Sequence, residues 1–439
     1  MGHRRLGSLA LAVGVVDGLL FLVFEWVVKH GTDWLWNDVV DSDDVRWRVV
    51  PLALVLSVAL SALLRWLNQP RWTPPHVDPL GAAEEPDAPP PSVGAVGTIL
   101  AIGAAGLLAG AALGPEAPLL GATVALGAWA AARADGDAAR TVLVLASAGA
   151  LLVAFFGSLI ALAIPLLILR QQTERERAGP HHPVVAITAA GLAAWLTVWL
   201  LQGNHHGYGP VPSAGVAAHD YLMAVVLGVA AVGIGALLHW FVTQLNVITE
   251  QIRNHTPWWL AATIFGAVLG ALYLVGGQTV QFSGSEGSAM LLSGEVHYGT
   301  WALAGVALVK LAATSWSVAS GYRGGLVFPA VFAGVAVSLL TADVLPDLAG
   351  PGVLLGCIAG LLVEMTAPVL GVVMLLALVP AALLPLALAG AAGAIAARTL
   401  LARAQRPGGE LASAGPHATV KGHQLAASGD QVQATDETR

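Results

Sequence analysis

The chain keeps one carboxylate where its surroundings least favour it. Glu116 sits in "LGPEAPLLG", residues 113–121, inside nearly a hundred residues that are otherwise almost all Ala, Leu, Gly and Val. Slid against itself by 211 residues, the sequence lays "GPEAP" (114–118) over "GLVFP" (325–329), matching Gly114 to Gly325 and Pro118 to Pro329, and the same register lays Gly149 over Gly360. In both copies a glycine precedes, and a proline closes, a short piece that runs into an apolar helix. Proline is tolerated in a first helical turn because the amide it lacks would be unpaired there anyway. Two helices that start part-way through a membrane would aim free backbone amides and positive dipole ends at one spot, and such a spot attracts anions. The candidate cradle is Gly114, Pro115, Ala117 and Pro118 in the first copy and Gly324, Gly325, Leu326, Val327, Phe328 and Pro329 in the second. A small anion held by dipoles and not by a full Lys or Arg charge can leave again, as conduction requires.

Glu116 has two readings in that setting. As a gate, its carboxylate occupies the anion site itself and swings away when protonated, so that the pathway depends on pH. As a cap, it complements the helix dipole and faces a loop. Val327 stands at the matching register of the second copy. The broken-helix geometry therefore does not require a carboxylate, which favours the gate.

The elements that must position these residues are membrane spans. Hydrophobic residues make up 56% of the chain and charged residues 11%, with a mean hydropathy of +0.74, against about 25% charged residues in a soluble domain. Apolar stretches recur at 6–30, 49–68, 93–113, 117–133, 141–169, 184–202, 221–247, 258–276, 300–319, 326–341 and 351–400, several reaching the ~20 residues of a spanning helix. The pattern predicts roughly ten to fourteen helical segments and none of the alternation a transmembrane barrel needs. The fold class is thus an all-α integral membrane protein with two inverted-topology repeats, about 6–202 and 219–403, whose broken helices meet near the bilayer midplane. Residues 70–92 form a Pro-rich acidic loop, and the polar tail 404–439 lacks periodicity and is expected to be disordered. The first segment starts on a basic "GHRR" but runs too long for a signal peptide. Arg4 and Arg5, an acidic loop at 31–48 with Asp33, Asp38, Asp41, Asp43 and Asp44, and the basic clusters Arg170, Arg175, Arg177 and Arg398, Arg403, Arg406 place both termini in the cytoplasm. Of the 14 tryptophans, Trp34, Trp36, Trp66, Trp72, Trp258 and Trp259 fall near span ends, as interfacial anchors do.

These residues resemble the CLC family of chloride channels and proton-coupled chloride transporters. "LLAGAALGPEAPLLGATVALGAWAA" is similar to that family's Gly-Lys/Arg-Glu-Gly-Pro element, with Glu116 at the gating position, and "SVASGYRGGLVFPAVFAGVAVS" to its Gly-x-Phe-x-Pro element. "GCIAGLLVEMTAPVLGVVMLLA" resembles the segment that follows. The resemblance runs from about 90 to 400 and implies a homodimer in the cell membrane, one pore per subunit, chloride as the anion and both termini cytoplasmic. Pro115, Ala117 and Val327 depart from the family's residues, but backbone amides remain at Leu326, Val327 and Phe328. The Gly-Ser-Gly-Ile-Pro element is missing where "RWTPPHVDPLG" stands, and no Tyr follows Tyr322 to supply the late pore hydroxyl. The inward-facing glutamate of proton-coupled members is also missing: the matching positions, near Leu167 and Ile168, are apolar, while Glu174 and Glu176 read as a solvated charge run. Passive conduction is therefore favoured over exchange.

Among the other polar residues, Asp17, Glu25, Lys310 and Glu364 lie in or beside apolar runs and are either functional or packing charges. "FSGSEGSAM" around Glu286 reads as an extracellular turn, with a pore-lining loop as the alternative. His181, His182, His205 and His206 fall in Pro- or Gly-rich loops without converging partners, and Cys357 stands alone. No nucleophile and base pair, phosphate loop or cofactor fingerprint is visible, so neither enzyme nor cofactor is expected. The expected partners are chloride or another small anion, protons and the lipid bilayer, with no nucleic acid. The competing readings are a proton-coupled exchanger or exporter of chloride or another small anion, and a non-conducting membrane scaffold or sensor.

Overall fold

The computed structural model describes residues 3–40, 47–67, 92–133, 137–176, 182–203, 215–366 and 368–404. His181, His205, His206, nearly all of the 70–92 loop and all but the first residue of the tail lie outside them. Residues Met1–Leu400 form one compact unit, and the remaining unit, Leu401–Arg439, is described only to Ala404. Among the described residues the regular elements are helices. The first half holds α1 (His3–Val40), α2 (Val49–Trp66), α3 (Val93–Leu108), α4 (Glu116–Ala131), α5 (Asp137–Phe156), α6 (Ala163–Glu176) and α7 (His182–Gln202). The second holds α8 (Ala218–His255), α9 (Trp258–Gly276), α10 (Ser285–Ser293), α11 (Thr300–Ser320), α12 (Val327–Val344), α13 (Pro351–Met365), α14 (Pro368–Leu378) and α15 (Leu384–Ala404).

Fifteen helices exceed the ten to fourteen expected from hydropathy because prolines cut the apolar run 351–400 into α13, α14 and α15, and because α10 forms inside "FSGSEGSAM". Nine of the described helices are long and apolar enough to cross a membrane. At 16 and 15 residues, α4 and α13 extend only about 23–24 Å, short of the ~30 Å hydrocarbon core. Such pieces survive only inside protein. Every residue of α13 except Glu364 is indeed buried.

The expected acidic loop at 31–48 begins later than the sequence suggests. The first helix continues to Val40, so Asp33 and Asp38 are helical. Trp36 explains the extension: it is buried, and its indole N–H donates to the Leu108 carbonyl at 3.0 Å. Trp36 is therefore a core residue and not an interfacial anchor, whereas Trp34, Trp66, Trp258 and Trp259 are exposed.

The 211-residue register is built into the backbone. Helices α4 and α12 begin at Glu116 and Val327, 211 apart. Gly110 and Gly321, again 211 apart, turn the preceding segments with φ of 91° and 88°, a left-handed conformation open to glycine at little cost. Helices α1 and α8 each run 38 residues. Ser147 of α5 packs on Thr123 of α4 in the first half, and Ile358 of α13 packs on Gly334 of α12 at the same register in the second.

Close helix approach rests on small residues, as expected where lipid removes the hydrophobic drive between helices. Gly352, Gly356 and Gly360 line one side of α13 against Asp220, Ala224 and Gly228 of α8, and a Cβ on Gly356 would lie 2.5 Å from the Ala224 carbonyl oxygen. Asp220 ties the two helix starts together: its Oδ2 accepts from the Ala217 amide at 2.8 Å and its Oδ1 from the Gly352 amide at 3.1 Å. Large apolar side chains on α1, α7 and α8, such as Val23, Leu200, Leu201, Leu222 and Leu237, are left outward for lipid.

Gly356→Leu is expected to cost upwards of about 3 kcal/mol through overpacking and to lower the unfolding temperature of the detergent-solubilised protein sharply. Gly305→Ala is the control, because nothing lies within 4 Å of a Cβ there. It should hold or raise stability by up to about 1 kcal/mol through helix propensity.

Candidate functional site

The two proline-closed elements meet through their backbones. Gly114 N–H donates to the Gly325 carbonyl at 2.9 Å, and Gly325 N–H returns a bond to the Gly114 carbonyl at 2.7 Å, an isolated antiparallel bridge. Both glycine amides are spent on each other, so neither is a free donor to the cradle. The first-turn prolines then limit the donors that remain. In α12, Pro329 brings no N–H and the Ala330 amide goes to the Leu326 carbonyl at 3.0 Å, which leaves Val327 and Phe328. In α4, Pro118 brings none and the Leu119 amide goes to the Pro115 carbonyl at 3.3 Å, which leaves Glu116 and Ala117.

Glu116 fills this space. Its side chain crosses from its own helix start to the other: Oε1 accepts from the Val327 amide at 2.8 Å, the residue 211 positions away. The amides of Phe328 and of Glu116 itself are also turned to the carboxylate. The residue is only 8% exposed, and its Oε2 is buried without a hydrogen-bond partner. A Cβ on either Gly114 or Gly325 would collide with the carboxylate, so glycine at both positions is required by the side chain between them. The carboxylate does not face a loop, as the cap reading has it, but lies on the opposing helix N-terminus.

Side chains that sequence reasoning passed over hold the chain leading into α4. The Trp36 indole takes the Leu108 carbonyl, Tyr273 Oη donates to the Gly110 carbonyl at 2.6 Å, and Thr314 Oγ1 donates to the Ala112 carbonyl at 3.2 Å. Ser317 Oγ accepts from the Ala112 amide at 3.1 Å. Tyr273 also accepts from the Phe282 amide at 3.0 Å, which draws in the segment before α10. A hydroxyl in the middle of the apolar "GALYLVGG" was the one available signal for this role.

The family is decided by a match that spans most of the chain. Residues 80–398 match the sequence profile of the family described as voltage gated chloride channel. The chain belongs to that family. The protein YfeO of Escherichia coli O139:H28 is 29% identical over 346 residues, covering 77% of this chain and 79% of its own. Among solved structures, a CLC-type fluoride/proton antiporter aligns with a TM-score of 0.69 at 17% identity, covering 89% of this chain and 94% of that one. A slow cyanobacterial Cl⁻/H⁺ antiporter aligns with a TM-score of 0.70 at 18% identity, covering 92% and 99%. At these identities the structures establish the CLC fold, and the chain is a multi-pass membrane protein of an anion-transport family.

Within this CLC fold, the remaining polar residues have structural neighbours. Lys310 is fully buried and donates to the carbonyls of Val280 and Phe282, fixing Phe282 at a φ of 54°. The "FSGSEGSAM" segment is not the turn expected from sequence but carries α10, in which Gly287 and Ser288 are buried and Glu286 and Ala289 are exposed. Glu364 lies 3.6 Å from both His239 Nδ1 and Arg398 Nε, and Arg398 closes the end of α13 by donating to the Val363 and Thr366 carbonyls. Glu25 accepts from Gln202 at 3.4 Å. Cys357 is a buried free thiol in α13. The "RWTPPHVDPLG" stretch lies outside the described residues, and Tyr322, the last tyrosine, is buried.

Tyr273→Phe is expected to leave the buried Gly110 carbonyl and Phe282 amide without their shared partner. That should cost about 1–3 kcal/mol, measured as a lower unfolding temperature with the helical circular dichroism of the folded protein unchanged.

Proposed function

We propose that this CLC-family protein conducts small anions, chloride first, through a pathway in which Glu116 is the gate. The anion replaces the Glu116 carboxylate on the amides of Val327 and Phe328, with Glu116 and Ala117 supplying donors from the opposite side. The observation that carries this reading is the 2.8 Å bond from the Val327 amide to Glu116 Oε1. A side-chain anion already occupies the helix N-terminus that a diffusing anion would need. Protonation removes the charge that holds it there, so acid opens the pathway. The absence of a carboxylate near Leu167 and Ile168 supports passive conduction. A homodimer with cytoplasmic termini belongs to the same reading.

A second reading, coupled anion/proton exchange, draws on the same seated carboxylate. Its one side chain takes either the site or a proton, which is the alternation an exchanger needs. The Cl⁻/H⁺ and F⁻/H⁺ antiporters with this fold keep that reading in play.

Flux from proteoliposomes loaded with chloride, fluoride or nitrate, read together with internal pH, tests both. Passive conduction predicts chloride efflux that rises as pH falls and moves no protons. Glu116→Gln keeps an oxygen for the Val327 amide but loses the charge assistance, a difference of about 1–1.5 kcal/mol, and should speed efflux at pH 7.5 by about 5–10-fold and flatten its pH dependence. Stoichiometric proton movement in the unmutated protein selects the exchanger instead. An unchanged rate and an unchanged pH profile in Glu116→Gln overturn the gate.

A further inference from the structure

Three oxygens on three helices of the first half make two short contacts that need one proton more than an ionised aspartate provides. Asp17 of α1 is fully buried, and its Oδ2 lies 2.6 Å from Ser147 Oγ of α5. The same Oγ lies 2.7 Å from the Thr123 carbonyl oxygen of α4. Both separations are those of full O–H···O bonds. A serine hydroxyl carries one proton, and a carbonyl oxygen only accepts. The Ser147 proton therefore goes to Thr123, and the proton in the 2.6 Å contact belongs to Asp17.

The surroundings agree with a neutral acid. Asp17 Oδ1 is buried with no hydrogen-bond partner, a position an ionised carboxylate with its four acceptor sites tolerates poorly. Ser147 is its one side-chain partner among the described residues. The titratable and charged groups on the helices packed against α1 are Arg65 on α2, Glu116 on α4, Asp137 and Arg140 on α5 and His182 on α7, while α3 has none. Glu116 and Arg140 each stand seven residues along their helices from Thr123 and Ser147, about 10 Å of axis. On α1 itself the nearest such groups are Glu25, eight residues on, and Arg5, twelve residues back.

We infer that Asp17 is a proton-binding site inside the membrane, whose bound proton is the donor that ties α1 to the α4 and α5 pair. The hydrogen-bonded chain ends on a carbonyl, so it holds a proton and does not relay one to Glu116. Its effect on α4 is positional, two turns along from Glu116. The site exists in one half only: the register that carries Asp17, Ser147 and Thr123 holds Gly228, Ile358 and Gly334 in the other. Asp17 also precedes residues 80–398, the part that matches the family profile.

Infrared difference spectra of the full chain in lipid test the assignment, made in the Glu116→Gln background so that Glu116 contributes nothing. At neutral pH the parent should show a carboxylic-acid carbonyl band that Asp17→Asn removes. Ser147→Ala should move that band to higher frequency, because the acid then loses its acceptor. A lost carboxylate band in place of the acid band overturns the inference. Should Asp17→Asn fail to fold, the Ser147→Ala comparison decides alone, and an acid band that does not move, or no such band, overturns it. Asp17→Asn keeps a donor for Ser147 and is expected to unfold near the parent's temperature. Asp17→Leu should unfold about 1–2 °C lower, the shift for one lost hydrogen bond in a chain of this length.

Discussion

The reciprocal bond between Gly114 and Gly325 is the constraint from which the centre of the molecule follows. A backbone that stops being helical inside a bilayer leaves N–H and C=O groups that lipid cannot satisfy. Here each break is satisfied by the other, one donor and one acceptor in each direction. The bridge fixes the two helix starts at one place and in opposite directions. The prolines at 118 and 329 then remove one donor from each first turn, so few amides are left facing the gap. Glycine is needed at both bridge positions because the Glu116 carboxylate lies over them.

What lies around the bridge is organised to keep those segments from relaxing. Four side chains from α1, α9 and α11 satisfy the backbone between Leu108 and Ala112, which belongs to neither α3 nor α4 after its first residue. Lys310 does the equivalent for residues 280–282 with an ammonium in place of hydroxyls. A buried lysine that meets carbonyls and, among the described residues, no carboxylate makes sense in these terms, since an ammonium is a donor three times over. The buried helices α5 and α13 support α4 and α12 from behind, and small residues let them come close. The polar groups inside this protein thus serve backbone satisfaction first.

Much of this was legible in the sequence, and the reason is periodicity at two scales. Hydropathy gave the spans, and the glycine and proline register at 211 gave the pair of helix starts, though not the bond from the Val327 amide to Glu116. The register worked because glycine and proline mark backbone geometry that both halves must share. The straps were not legible: Trp36 and Tyr273 bond to residues 72 and 163 positions away, and nothing local distinguishes them from a membrane anchor and a packing aromatic. The extension of α1 to Val40 failed for a related reason. Its last turns are mixed in composition, and Trp36 ties them to distant residues, bonding to Leu108 and packing edge-on against Tyr273 and Phe282. Asp17 stood out as an intramembrane charge, yet the partners that give it a role come from helices more than a hundred residues on.

The halves differ where chemistry is concerned, and the difference bears on how firmly the gap is closed. Two carboxylates facing each other across the bridge would repel, and none would leave the amides without a resident anion. One carboxylate, Glu116, seated on the opposing half, makes the site self-occupied. A tethered group competes at the effective concentration its tether allows, commonly millimolar for short flexible connections, and on that count alone displaces any dilute anion. Its hold is nevertheless limited, because the Val327 amide goes to Oε1 and the Phe328 and Glu116 amides are turned to the carboxylate, while Oε2 is buried without a hydrogen-bond partner. On the proposed reading, that incomplete bonding is what allows a diffusing anion to compete. A carboxylate with both oxygens fully bonded would be a permanent plug, so the unpartnered Oε2 is the feature of this site that is compatible with opening.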